Sequence, residues 1–227
     1  MIPLKDSVRP RRTPYVNLTL ILLNIIVFLY GLSLTQNELS QLFNSGGIIP
    51  LEFINAVIQG APLTETLMPL ITSTFLHGGL LHLLGNMLYL WVFGDNVEDR
   101  LGHGGYLLFY FAAGAAGSIA HIISNPQSTI PTIGASGAIA GILGAYILFF
   151  PRARVLTLIP IGFFITTAYI PAALFLFIWF ILQIINVSFT GPAGAQTVAW
   201  WAHIGGFVFG FIFVLAAAIK RKLNVTD

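Results

Sequence analysis

Ser136, His203, His82, Asn86 and His77 are the side chains in this 227-residue chain whose types suit acyl transfer, and each lies in or beside an apolar stretch. A serine hydroxyl is a poor nucleophile until a neighbouring base takes its proton, and a neutral imidazole does that near pH 7. Ser136 with His203 is therefore read as a nucleophile and base pair. No Asp or Glu falls within the apolar stretches that hold them, which predicts a dyad without a buried carboxylate rather than a triad. His82 and Asn86 are spaced i and i+4, so on a helix they project from one face. Together with the backbone N–H of Ser136 at a helix start, they would form donors for a developing oxyanion.

These residues need elements that bring them to one place. The chain is 56% hydrophobic and only 8% charged, which excludes an ordinary soluble domain and points to an integral membrane protein. A helix needs roughly 20 residues to cross the hydrocarbon core. Six runs near that length occur, at about 17–34, 78–94, 104–124, 136–151, 171–189 and 199–219. The expected fold is all-α: a polytopic six-transmembrane-helix bundle whose short fourth helix, rich in Gly and Ala, is enclosed by the other five. Residues 1–227 read as a single membrane domain, with an N-terminal segment 1–16, a core 17–219 and a tail 220–227. The first span follows the basic segment Arg9–Arg12 and reads as retained rather than as a removed signal peptide. Residues 154–170 are apolar but interrupted by Pro160, Gly162 and Pro171, and read as an interfacial or re-entrant connection.

All ten Lys and Arg residues fall at the termini or in the second and fourth connections. This is a topology signal, not a nucleic-acid surface, and it places both termini in the cytoplasm. The long first connection, about residues 35–77, is then outside and should form short helices on the membrane surface. His82, Asn86, Ser136 and His203 come to similar depth near the outer face. Small residues at Ser136, Ala140 and Gly144, facing His203, Gly206 and Gly210, would let spans four and six approach closely. Each residue alone has a plainer reading: Ser136 as a packing residue, Asn86 as interhelical glue, His77 and His121 as interfacial, His103 as a solvated residue of a charged connection. Convergence at one depth is what favours chemistry. With no cysteine, thiolate catalysis and Cys-ligated metals are excluded, and no metal or cofactor is expected.

The chain resembles the rhomboid family of intramembrane serine proteases. The resemblance rests on Gly134-Ala135-Ser136-Gly137, on Ala202-His203-Ile204-Gly205-Gly206, and on His77 with His82-Leu83-Leu84-Gly85-Asn86. It implies a serine protease that cuts a peptide bond in or beside a transmembrane segment, with Ser136 as nucleophile and His203 as general base. By the same resemblance His82, Asn86 and the Ser136 amide stabilise the oxyanion, Gly134 shapes the turn, and His77 is a supporting polar residue. Two positions depart from the pattern. Met68-Pro69-Leu70-Ile71-Thr72 stands where many relatives carry a Trp-Arg pair, and Ala140 stands where some place an aromatic under the histidine ring.

Hydrolysis needs water, so the site must open to a hydrophilic cavity. Asn125, Gln127, Ser128 and Thr129 are expected to rim it, and Gly191–Thr197 to form a mobile cap, with a membrane-protein substrate entering past span five. The main rival is a non-proteolytic chaperone or adaptor that binds transmembrane segments. A transporter is disfavoured because no inverted repeat is visible, and a metalloprotease because no His-Glu-x-x-His is present. The expected location is the prokaryotic plasma membrane.

Overall fold

The computed structural model describes residues 1–162, 164–189 and 198–223. Its frame is helical. Helix α1 (Tyr15–Leu32) leads into three short helices, α2 (Gln36–Gly46), α3 (Pro50–Ile58) and α4 (Leu63–Thr72), and a 3-10 turn at Ser73–Phe75. Helix α5 (Leu80–Tyr89) continues through a π turn (Leu90–Gly94) into α6 (Asp95–Leu101), followed by α7 (His103–Ser124), α8 (Ser136–Phe149), α9 (Ala172–Phe189) and α10 (Trp200–Leu223). The expected short helices of the first connection are α2 to α4. Thr35 starts α2 with a reciprocal capping box to Glu38. The Met68–Thr72 stretch lies in α4, where Thr72 Oγ1 donates to the Gly46 carbonyl at 2.7 Å and ties α4 to the end of α2.

By length and composition α1, α7, α9 and α10 are long and apolar enough to cross a membrane. The helix Leu80–Leu101 meets the preceding Leu63–Phe75 at 90°, and α8 is shorter. At 14 residues α8 is roughly 21 Å long, too short to face lipid across a whole bilayer. It is accordingly interior, with every residue from Gly137 to Tyr146 buried.

Glycines bring α8 against α10. A Cβ built on Gly206 would lie 2.0 Å from the Gly137 carbonyl oxygen, and one on Gly210 would lie 1.9 Å from that of Gly141. Only hydrogen fits in such a seam, so the backbones pack directly. The expected small-residue contact exists, but its α8 side runs through Gly137, Gly141 and Gly144 as well as Ala140.

Residues 154–170 differ from expectation. They form a β-hairpin, β2 (Arg154–Ile161) and β3 (Phe164–Pro171), which β1 (Ile2–Asp6) completes as an antiparallel sheet in the order β1-β2-β3. The helical bundle thus carries a small sheet at one end. Gly162, at φ +60°, sits in the turn between β2 and β3. Pro160 lies beyond the last β1 pairing, Ile2 with Leu158, so its missing N–H interrupts no ladder on that side. Runs of Val, Ile, Thr, Phe and Tyr around a glycine turn suit a hairpin, which the interruptions at Pro160 and Gly162 conceal in the reading as an interfacial or re-entrant connection. The sheet joins β1 to the chain after α8, while Arg12 N donates to Asp99 and Arg100 to the Phe149 carbonyl. The basic N-terminal segment and the second and fourth connections therefore gather at one end.

Candidate active site

The site is assembled from the starts of three helices. Gly134 precedes α8 with φ +122°, a conformation L side chains rarely adopt, and its N–H donates to the Ser73 carbonyl at 2.8 Å. A Cβ there would also stand 2.7 Å from His82 Cε1 and Nε2. Both backbone and space require glycine. Two residues later Ser136 opens α8, so its N–H belongs to the first-turn donors that no helical carbonyl can satisfy.

Across the seam, a Cβ on Gly137 would be 3.5 Å from the Ala202 carbonyl oxygen. The neighbours of Ser136 and His203 thus leave room for little more than a methyl group between them. Ser136, His203, His82, Asn86 and Gly134 all line one cavity of about 710 Å³. Ser136 and His203 share its wall, and no direct hydrogen bond joins them among the described residues. Unliganded sites commonly hold such pairs loosely.

His77 borders the cavity group from behind. It is 4% exposed, its ring meets that of His82 edge-on at 4.9 Å, and its Nε2 accepts from Asn86 Nδ2 at 2.8 Å. One amide hydrogen of Asn86 is thereby held, and the orientation of that amide with it.

Several expectations are corrected here. The third connection lines the cavity through Thr132 and Ile133, whereas Asn125, Gln127, Ser128 and Thr129 do not. Asn125 instead turns inward, donating to the His121 carbonyl at 3.3 Å. His121 is buried in α7 rather than interfacial, because the helix presents that face to the bundle. His103 is not merely solvated: its Nδ1 bonds Glu98 Oε1 at 2.5 Å. The expected cap at Gly191–Thr197 lies outside the described residues.

Sequence reasoning missed several cavity and site residues, three of them polar groups within or beside the helices that frame the site. Ser118 and Thr74 line the cavity. Gln183 of α9 meets His203 Nδ1 with its Oε1 at 2.9 Å. Where Ala140 leaves the imidazole without an aromatic from α8, support comes from α9 and α10: the Trp179 ring lies 5.9 Å away at 32°, and that of Trp200 5.7 Å away at 89°. The signal for Gln183 was available, since a polar amide within an apolar span is as conspicuous there as at Asn86.

Comparison with known proteins agrees with this architecture. Residues 64–220 match the family described as Rhomboid domain. The chain is 36% identical over 152 residues to Rhomboid protease GluP of Bacillus subtilis (strain 168), covering 67% of this chain and 26% of that protein. It is 38% identical over 78 residues to Putative rhomboid protease YdcA of the same organism, covering 34% of this chain and 39% of the relative. Presenilin-associated rhomboid-like protein, mitochondrial, of Homo sapiens is 29% identical over 148 residues, 64% of this chain and 37% of that protein. The matched stretches thus take in well under half of each of these relatives. A family match over most of the chain, on a helical bundle with its polar residues gathered at one cavity, identifies this multi-pass membrane protein as a member of the rhomboid family.

Proposed function

We propose that the protein is an intramembrane serine endopeptidase that hydrolyses a peptide bond in or near a transmembrane segment of a membrane-protein substrate. The observation that supports this best is the shared cavity of Ser136, His203, His82 and Asn86. In this reading Ser136 Oγ attacks the scissile carbonyl carbon as its proton passes to His203. The resulting oxyanion is held by the His82 and Asn86 side chains and the free Ser136 N–H, with His77 fixing the Asn86 amide. Collapse expels the amine, which takes the proton from His203, and leaves an acyl ester on Ser136. Water from the cavity then hydrolyses the ester by the same proton path in reverse.

Residues 1–227 would act as one membrane domain, with the basic end and both termini in the cytoplasm of a prokaryotic cell and the cavity opening outward. Substrate would enter from the bilayer past α9.

Labelling of detergent-solubilised protein with a fluorophosphonate probe tests the reading without a known substrate. A mass-spectrometric adduct on Ser136 that disappears in His203→Ala is the expected result. Folded wild-type protein that takes no adduct would overturn the protease reading in favour of a chaperone or adaptor that binds transmembrane segments.

A further inference from the structure

Gln183 stands at the back of His203, on the helix past which substrate is proposed to enter. It is 5% exposed and makes two side-chain contacts: Nε2 donates to the Trp179 carbonyl at 2.7 Å, and Oε1 faces His203 Nδ1 at 2.9 Å. The first contact orients the second. A carbonyl oxygen can only accept, so the NH₂ end of the amide must face Trp179 and the oxygen must face the imidazole. An amide oxygen can also only accept. Nδ1 must therefore carry the ring hydrogen, and in a neutral imidazole Nε2 then holds the lone pair.

We infer that Gln183 is the positioning residue of the site, fixing the ring orientation and the Nδ1–H tautomer of His203 so that Nε2 is the basic nitrogen. This deepens the Ser136–His203 reading given above and rests on it. A carboxylate does this work in a serine-protease triad, but a buried anion within an apolar span is costly. A neutral amide supplies the same acceptor without the charge. Trp179, one turn before Gln183, and Trp200 flank the imidazole and restrict its rotation. Because Gln183 belongs to α9 and His203 to α10, the base is oriented only while these two helices are packed together.

The test uses the full chain in detergent micelles, with ¹⁵N-labelled histidine and a fluorophosphonate probe. The ¹⁵N spectrum of wild type should report His203 protonated at Nδ1, and Gln183→Leu should lose that preference. In Gln183→Leu the maximal labelling rate of Ser136 should fall roughly 10- to 100-fold, a part of what a well-placed base supplies, with the probe's half-saturating concentration unchanged. Gln183→Glu assayed at a pH where the buried carboxyl is protonated keeps an acceptor for Nδ1–H and a donor for the Trp179 carbonyl, and should label within about threefold of wild type on the same reasoning. A wild-type ring protonated at Nε2 overturns the inference whether or not Ser136 reacts. So does equal slowing in the Leu and Glu variants, which would mean that Gln183 only packs α9. If wild type takes no adduct at all, the protease reading fails, and the tautomer still decides what Gln183 does to His203.

Discussion

Both ends of the bundle bury polar side chains, but they treat them differently. At the cavity end Ser136, His82, Asn86 and His203 surround open space. At the basic end polar groups close on one another. Glu98, 1% exposed, accepts from the N–H groups of Val16 at 3.0 Å and Asn17 at 2.7 Å, so its carboxylate serves the first turn of α1. Asn17 in turn donates to the Leu90 carbonyl at 3.0 Å, where the π turn begins, and accepts from Tyr106 at 2.7 Å. A Cβ on Gly94 would fall 2.2 Å from Asn17 Oδ1, so this junction has no spare room. Asp6 of β1 accepts from Asn96 at 2.9 Å and makes a short hydrogen bond with Tyr146 of α8, which ties the sheet to the bundle. Asparagine thus serves both ends, as Asn86 at the cavity and Asn17 at the basic end. Polar groups closed on one another hold helices in register, whereas Asn86 and His203, though each has one partner, also face open space.

Substitutions at the two ends should separate these roles. The largest effect is expected at Ser136→Ala, which should abolish cleavage of a membrane-protein substrate by at least about 10⁴-fold. Its resistance to unfolding in mixed micelles should stay within about 0.5 kcal/mol of wild type. Substantial residual cleavage would break the comparison at its functional end.

Next comes Glu98→Ala, which leaves the two α1 N–H groups and His103 without their shared partner. It should destabilise the fold by roughly 2–4 kcal/mol. The fluorophosphonate labelling rate per folded molecule should be unchanged. A variant as stable as wild type would show that the basic end contributes little to stability.

The smallest effect is a pH dependence. Burial raises the Asp6 carboxyl above its usual 3.8, against the lowering influence of its bonds to Tyr146 and Asn96. The folded protein then binds the proton more tightly than the unfolded chain. The contribution is complete below 3.8 and is lost as pH rises through the raised value, so stability should decline with rising pH across that window. Asp6→Asn should flatten the decline when unfolding is followed as a function of pH. An unchanged slope would assign the dependence to another group.

Much of this was legible in the residues. Six apolar runs and the one-sided placement of Lys and Arg point to a polytopic helical bundle from hydropathy and charge, and the motifs around His82, Ser136 and His203 carry the resemblance to the rhomboid family. Hydrocarbon makes each polar residue costly, so polar groups within spans stand out without coordinates. Gln183 was visible by that rule, yet its partner was not. Which histidine an amide meets depends on how α9 rotates and packs against α10, and no local periodicity encodes that. The hairpin of β2 and β3 escaped for a related reason: Pro160 and Gly162 read as interruptions until the pairing with β1 places one past the ladder and the other in the turn. The Glu98–Asn17 cluster joins residues about 80 positions apart in the chain. Residue chemistry and span length thus determined the class of fold and the candidate nucleophile and base. Tertiary packing alone decided which side chain meets His203 and which polar groups pair with one another, because hydrogen-bond partners are set by distance in space rather than order along the chain.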